Sequence, residues 1–329
     1  MTQPSSANAL PRPGFWRAYW VTLRPYLFFV SGAAGLAGLA VPERTAHATL
    51  VAAFAAFFCS YGLGQALTDV FQVDTDSLSS PYRPLVRGEV SRPQVFLVSL
   101  GGLTLCAATF WFINAETALL SVAGVLGLAT YTPLKRRWWG GPAWNSWIVA
   151  LLPLLGFLCG AQTLRSMPAD PFLPWLVGSV FCSYAVFVLL GYLKDVSADR
   201  ATGYETLPVR FGRRATVAVS AVFAAAALAF TSLLSLRVFE QRPPTPLATL
   251  LGAGLVCLAL VWLVLAHLRM ACTDRDDQAH PAIACSVRAF VALHAGEAAW
   301  LRPELALLGV FLVVGLELAL AARPCESQI

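Results

Sequence analysis

Charged side chains are scarce in this chain. Only 12% of its 329 residues are Asp, Glu, Lys or Arg, and 57% are hydrophobic, whereas about 25% of the residues in a soluble globular domain are charged. Water is therefore not the main solvent of this protein. Long polar linkers and low-complexity tracts are also missing, so we predict a polar segment over 1–16, a single membrane domain over 17–322 and a short tail over 323–329.

Signals for covalent or metal cross-links and for export are missing too. The eight cysteines include no CxxC pair and no cluster with histidine, so we expect neither structural disulfides nor zinc. The N-terminal segment lacks the pattern of a cleavable signal or a transit peptide, so we expect the first span to remain as an anchor. The net charge of +5 suits contact with anionic lipid and requires no nucleic-acid partner.

In place of charge the sequence has repeated apolar runs, each close to the roughly 20 residues that cross a bilayer. The runs are apolar throughout and do not alternate in polarity, so they predict helices rather than membrane β-strands. The fold class is therefore all-α, a polytopic helical bundle in the membrane. The nine predicted transmembrane helices cover residues 17–41, 48–68, 93–113, 117–134, 146–164, 171–192, 215–235, 246–267 and 304–322.

The Lys and Arg residues are unevenly distributed between the two sides of these spans. Most of the 23 lie at the N-terminal end and in the loops that follow the even-numbered spans. The positive-inside rule then places the N-terminus and these loops in the cytoplasm. We predict an integral protein of a prokaryotic plasma membrane, and nine spans would leave its C-terminus outside.

The loop after the second span contains the first acidic segment, TDVFQVDTDSLSSPYRPL. Thr68, Gln72 and Asp76 are spaced i, i+4, i+8, and Asp69 lies seven residues before Asp76. On a continuous helix this spacing places all four side chains on roughly one face. The pattern predicts a polar stripe at a cytoplasmic helix end.

The loop after the sixth span contains a second acidic segment, LKDVSADRATGYETLPVRFG. Tyr192, Asp195 and Asp199 are spaced i, i+3, i+7 and also share one face. Carboxylates crowded at the end of a membrane helix are costly to desolvate unless a cation lies between them. Mg²⁺ binds through one or two carboxylates and phosphate oxygens, so the two segments together predict a magnesium site for a diphosphate ester.

Other ionisable residues have simpler interpretations. Asp74 and Glu205 fall off the two stripes and are expected to be solvated boundary residues. Glu317 and the His294/Glu297 pair are candidates for a proton path, although the pair is equally explained by an amphipathic surface helix. The positive-inside rule alone accounts for three arginines: Arg137, Arg213 and Arg214.

The sequence resembles the UbiA superfamily of intramembrane prenyltransferases over nearly its whole length. The resemblance rests on KDVSADRATGYETLPVRFG, which is similar to the second Asp-rich motif of that family, and on SSPYRPLVRGEVS, which follows the first motif. YTPLKRR with Asn145 resembles the family's loop between the fourth and fifth helices, and LRPYLFF resembles its first helix. The resemblance implies a Mg²⁺-dependent enzyme that ionises a polyprenyl diphosphate and transfers the prenyl group to a lipophilic acceptor such as an aromatic ring.

The resemblance also implies roles for individual residues. Asp69, Asp76, Asp195 and Asp199 match the metal-binding positions of the two motifs, and Arg83, Lys135 and Arg200 match basic positions that hold the diphosphate. The sequence departs from the family pattern at three positions near the predicted site. These are Thr68 in place of Asn, and Gln72 and Tyr192 in place of Asp.

Two other functions fit the sequence. A terpene cyclase of the same superfamily would capture the allylic cation with the substrate's own double bonds, and the altered motifs are compatible with this. A transporter or a non-catalytic membrane scaffold would use the acidic residues for ion coupling. The ionisable site of a transporter, however, would more often lie near the membrane midplane than at helix ends.

Overall fold

The computed structural model of the chain describes residues 14–323, so the predictions for residues 1–13 and 324–329 lie outside it. Within the described range all regular secondary structure is helical, which confirms the predicted all-α class. Short 3₁₀ turns lie at Pro25–Leu27, Met167–Ala169, Tyr192–Lys194, Asp276–Gln278 and Pro303–Leu305. The α-helices are α1 Phe15–Leu23, α2 Phe28–Ala40, α3 His47–Asp69, α4 Val73–Ser79, α5 Arg92–Ile113, α6 Thr117–Lys135, α7 Gly141–Cys159, α8 Leu173–Gly191, α9 Val196–Ala201, α10 Leu207–Gln241, α11 Pro246–Ala271, α12 His280–Leu301 and α13 Ala306–Ala321.

Ten helical segments in the described chain are long and apolar enough to cross a membrane, so the predicted count of nine is not confirmed. The additional segment, Asp276–Leu301, contains α12, and 94% of its most apolar stretch is buried inside the protein. Its mean hydropathy is only 1.2 because it carries polar side chains that pack against other helices rather than lipid. His294 and Glu297 are fully buried there, so the expectation of a surface helix was wrong.

The first predicted span, 17–41, is interrupted near its middle. Arg24 adopts a left-handed conformation with φ of 52°, and Pro25 follows it, so α1 ends at Leu23 and α2 begins at Phe28. Proline restricts the residue before it to non-helical conformations, which explains why the break occurs here. The break turns the Arg24 guanidinium toward the end of α3, where it contacts Asp69.

Small residues let α2 and α7 pack with their backbones in close contact. A Cβ atom added at Gly38 would lie 2.5 Å from the Pro153 Cα atom, and one added at Gly156 would lie 2.6 Å from the Leu39 nitrogen. Close approach at small residues is the usual basis of helix packing in membranes. The central helix α12 packs against α2, α8, α11 and α13, whereas α5 and α6 are largely exposed at the edge of the bundle.

The last helix returns the chain to the end of the bundle that contains the acidic segments. Leu312 lies beside Gly32, and Gly315 lies beside Phe29, so α13 runs antiparallel to α2. The start of α2 is close to Arg24 and Asp69, and the end of α13 therefore lies at the same end. Within residues 14–323 the chain therefore begins and ends at the same end of the bundle, which differs from the opposite sides expected from nine spans.

Candidate active site

The first acidic segment folds as two helices and a turn rather than as one continuous helix. The long helix α3 ends at Asp69, Gln72 precedes the short helix α4, and Asp76 lies within α4. The prediction that these residues share one helix face therefore does not hold, because the helix is broken between Asp69 and Val73. The turn nevertheless brings Asp69 and Asp76 to the same guanidinium, that of Arg83.

Asp69 and Asp76 are both held by arginine. Arg24 Nη2 donates to Asp69 Oδ2 at 2.5 Å, and Gln65 Nε2 donates to Asp69 Oδ1 at 3.0 Å. Arg83 Nη1 forms an ion pair with Asp76 and lies 3.7 Å from Asp69 Oδ1. Charge-assisted bonds of this kind stabilise buried carboxylates, so the pairs account for how two acids remain together at a buried helix end.

The second acidic segment is also broken. Tyr192 begins a 3₁₀ turn, Asp195 precedes α9, and Asp199 lies inside α9. Asp199 is fully buried and accepts a hydrogen bond from Thr206 Oγ1 to Oδ2 at 3.1 Å. The Oδ1 atoms of Asp195 and Asp199 are buried and have no hydrogen-bond partner among the described residues.

Direct contacts join the two acidic segments. Thr75 in α4 and Thr202 after α9 share a hydrogen bond of 3.2 Å between their hydroxyl groups. Lys135, at the end of α6, donates from Nζ to Gln72 Oε1 at 3.0 Å. The same ammonium group lies 5.6 Å from the Tyr192 ring centroid and 5.5 Å from that of Tyr204. The two segments therefore form one site.

A polar cavity of about 730 Å³ lies between these segments. Three predicted residues are outside its lining: Thr68, whose hydroxyl donates to the Gln65 carbonyl, Asp199, which is buried, and Arg200, which is exposed. The other predicted site residues all line the cavity: Asp69, Gln72, Asp76, Arg83, Lys135, Tyr192 and Asp195.

Several residues that line the cavity were not identified from the sequence. Arg24 lies in the LRPYLFF segment, to which the sequence assigns no role in the site, although an arginine within an apolar run is itself a signal of function. Lys194 directly precedes Asp195, and Gln65 lies four residues before Asp69. This closeness to the predicted aspartates was the only signal by which the sequence could have identified these two residues. Tyr61 and Tyr184 lie inside long apolar runs, where the sequence does not distinguish lining from packing residues.

A second, apolar cavity of about 960 Å³ adjoins the polar one. It extends between α3, α5, α6 and α7, from Tyr131 near the acidic end of α6 to Leu120 near the opposite end. Eleven residues of helix separate these two positions, a distance of about 17 Å at about 1.5 Å per residue. The residues that line both cavities are Tyr61, Gln65, Tyr131, Asn145 and Tyr184.

The electrostatics of the two loops differ. Burial alone would lower the pKa of Arg83, but the carboxylates of Asp76 and Asp69 raise it above its usual range, so Arg83 is charged. Burial raises the pKa of Asp199 to about 7; Lys135 opposes this rise, and Asp195 adds to it. Asp199 therefore binds a proton near neutral pH unless another cation neutralises it.

The donor set suits a cation that is bound jointly with a phosphate group. No three His, Cys, Asp or Glu side chains in the described part of the chain converge on one point. Mg²⁺ needs only one or two carboxylates when phosphate oxygens and water complete its octahedral shell. The unpartnered Oδ1 atoms of Asp195 and Asp199 fit that requirement.

Comparisons with known proteins agree with the motifs. The model of the UbiA prenyltransferase family matches residues 26–282. The digeranylgeranylglyceryl phosphate synthase of Methanopyrus kandleri is 30% identical over 255 residues, which are 75% of this chain and 89% of that protein. The synthase of the same name from Thermococcus kodakarensis is 25% identical over 222 residues, 64% of this chain and 74% of that protein.

Solved structures share the fold. A UbiA homologue from Archaeoglobus fulgidus bound to GPP and Mg²⁺ has a TM-score of 0.64 and 16% identity, and the match covers 90% of this chain and 99% of that one. The apo structure of a UbiA homologue from Aeropyrum pernix K1 has a TM-score of 0.68 and 18% identity, covering 82% and 95%. The family match confirms the resemblance and the expected class of enzyme: this chain belongs to the UbiA prenyltransferase family.

Proposed function

We propose that the chain uses Mg²⁺ to ionise a polyprenyl diphosphate and transfers the prenyl group to a lipophilic acceptor. The observation that carries this proposal is the continuity of the two cavities across a shared belt of residues, which includes Tyr61, Tyr131 and Tyr184. A polar cavity with acidic and basic side chains suits a diphosphate. The apolar cavity behind it suits an isoprenoid tail.

The head group would lie among the basic residues of the polar cavity. Arg83 and Lys135 line it, and both are positioned by neighbouring side chains rather than extended into solvent. Guanidinium and ammonium groups bind phosphate oxygens through charge-assisted hydrogen bonds. Arg24 is a further candidate for this role because it lines the same cavity. The expected contact between Arg200 and the diphosphate stays a prediction.

The four aspartates would divide between them two tasks, organising this basic cluster and binding the metal. Asp69 and Asp76 position Arg24 and Arg83 through ion pairs, and Asp195 and Asp199 offer unpartnered oxygens. When bound, Mg²⁺ supplies positive charge that stabilises the diphosphate as the C–O bond breaks. A divalent metal is also present in the Archaeoglobus fulgidus structures with Mg²⁺ and with Cd²⁺.

The residues that line both cavities lie where the reacting carbon of the prenyl diphosphate would be. As the C–O bond breaks, the bonding electron pair leaves with the diphosphate, and an allylic cation remains on the prenyl group. The rings of Tyr131 and Tyr184 at the junction of the cavities would stabilise this cation by cation–π contact. The acceptor then supplies an electron pair to form the new bond and releases a proton. Exclusion of water from the apolar cavity protects the cation from hydrolysis.

The chemical group that accepts the prenyl cation is a separate question within this proposal. The two curated relatives are named as synthases of digeranylgeranylglyceryl phosphate, which supports a hydroxyl group of a phosphate-bearing lipid as the acceptor. An aromatic ring is the other class expected from the motifs. A cyclase would need no acceptor, and a hydrocarbon formed from the prenyl diphosphate alone would favour that alternative.

We also propose that the protein lies in a prokaryotic plasma membrane with the polar cavity on the cytoplasmic side. The excess of Lys and Arg around that end of the bundle supports this orientation. Diphosphate esters made in the cytoplasm would then reach the polar cavity directly, while their tails enter from the membrane.

The test is turnover by the full chain in liposomes. Labelled prenyl diphosphates of different lengths are supplied with and without Mg²⁺, and with geranylgeranylglyceryl phosphate, an aromatic acid or no acceptor. We expect diphosphate release that depends on Mg²⁺ and on the acceptor. Asp69→Ala and Asp195→Ala should each lower the rate by about a hundredfold or more, because each removes charge that organises the transition state.

Asp74→Ala is the matched control. Asp74 lies in α4, between Asp69 and Asp76 in sequence, but it is exposed and pairs with Arg136. We expect this variant to retain the parent rate. If Asp69→Ala and Asp195→Ala both turn over like the parent, the site assignment is wrong.

A further inference from the structure

The two acidic segments differ in how their carboxylates are neutralised. In the first, Asp69 is bonded to Arg24 and Gln65, and Asp76 is paired with Arg83. Both arginines are buried, with side-chain exposures of 7% and 12%. Arginine therefore already neutralises both carboxylates, through Asp69 Oδ2 and Asp76 Oδ2.

The second segment keeps oxygens free for a ligand. Asp195 Oδ1 and Asp199 Oδ1 are buried, and neither has a hydrogen-bond partner within residues 14–323. Asp199 is fully buried, and its other oxygen is fixed by Thr206. A buried carboxylate oxygen without a partner is costly. A divalent cation that binds both Oδ1 atoms would remove that cost.

Lys135 lies where the chain departs from the family's Asp pattern. Its ammonium group donates a hydrogen bond to Gln72 and faces the Tyr192 ring. Gln72 and Tyr192 are the two positions at which this chain has another residue in place of the family's Asp. Both replacements are neutral, so they stabilise a resident ammonium without offering a carboxylate to a metal.

We infer that this chain binds one divalent cation, held by Asp195 and Asp199, and that Arg24, Arg83 and Lys135 supply the remaining positive charge to the diphosphate. The inference rests on the proposed function only in taking a diphosphate as the ligand. The site is thus asymmetric: arginines contact the carboxylates of Asp69 and Asp76, whereas the Oδ1 atoms of Asp195 and Asp199 are left for an exchangeable metal ion.

The number of bound ions tests this inference directly. The full chain in lipid nanodiscs is dialysed against Mn²⁺ with and without inorganic pyrophosphate, and the bound Mn²⁺ is counted per chain by electron paramagnetic resonance. We expect one Mn²⁺ per chain in both conditions. Asp195→Asn and Asp199→Asn should weaken Mn²⁺ binding by about tenfold or more, whereas Asp69→Asn should leave stoichiometry and affinity as in the parent.

Asp74→Asn is the control for a change of charge in the same loops, and it should also bind like the parent. Thermal melting of each variant identifies any that fail to fold. Because Asp195 is only partly buried, we expect Asp195→Asn to fold, and it tests the inference even if Asp199→Asn is unstable. Two ions per chain, no bound ion, or loss of the ion in Asp69→Asn would overturn the inference. A single ion that depends on Asp195 in a protein without prenyl transfer would instead contradict the proposed function.

Discussion

Arg24 shows how one residue links the fold to the site. Its left-handed backbone ends α1, and its guanidinium reaches Asp69 at the end of α3. The side chains of both residues are almost fully buried. Removing one partner of a buried pair leaves the other charge without compensation, which costs much more than the pair contributes when it is intact.

At this scale we predict that Arg24→Ala lowers the free energy of unfolding by about 3–5 kcal/mol, because the buried Asp69 carboxylate loses its nearest cation. Reversible unfolding of the detergent-solubilised protein by a denaturing detergent measures this loss. Arg237→Ala is the control, since Arg237 pairs with Glu240 on an exposed surface. It should cost less than about 1 kcal/mol. Equal losses in the two variants would contradict the role assigned to Arg24.

Among the elements, α12 is joined to its neighbours by a buried polar network. Glu297 accepts hydrogen bonds from Ser179 at 2.7 Å and Thr231 at 2.6 Å, and it lies 2.7 Å from His294 Nδ1. His294 Nε2 in turn lies 2.8 Å from Ser183 Oγ. The network fastens α12 to α8 and α10. Neither His294 nor Glu297 lines the polar or the apolar cavity, so their role in a proton path stays a prediction.

The contact between α2 and α7 gives a prediction at the scale of elements. Gly156→Ala places a methyl group against the backbone of α2, and we expect the free energy of unfolding to fall by about 1–3 kcal/mol through overpacking. The same unfolding measurement applies. Gly254→Ala in α11 is the matched control, because nothing lies within 4 Å of the added carbon. A comparable loss in Gly254→Ala would mean that helix packing is not the cause.

On the scale of the whole molecule, the number of spans decides which side each terminus faces. With α12 as a further candidate span, the end of α13 returns to the acidic end of the bundle, where α1 also lies. The connection between α12 and α13 lies at the other end, where Arg242 donates to the carbonyls of Leu301 and Val41.

We therefore predict that epitope tags at the N- and C-termini are accessible from the same side of the membrane. Protease protection in right-side-out and inside-out vesicles measures this. A tag inserted in the connection after Leu301 should be protected whenever the terminal tags are cleaved. Terminal tags that are cleaved in opposite vesicle orientations would support nine spans instead.

The sequence by itself determined the membrane location, the helical class and the two acidic loops. Hydropathy and charge distribution act locally, since each span must satisfy its own backbone in lipid, and the motifs carry their residues in short segments. The sequence misplaced α12 because its polar residues lower its hydropathy, and only contacts with α8 and α10 reveal that they are buried.

Only the tertiary structure decided which side chains meet. Arg24 and Asp69 are 45 residues apart in sequence, and Lys135 and Gln72 are 63 apart, so no local pattern pairs them. The breaks that end α3 and α8 also changed which residues face the cavity, because the expected helical spacing stops where the helix stops. A cavity is a property of the surfaces of several packed helices, whereas a sequence pattern describes the surface of one helix at a time.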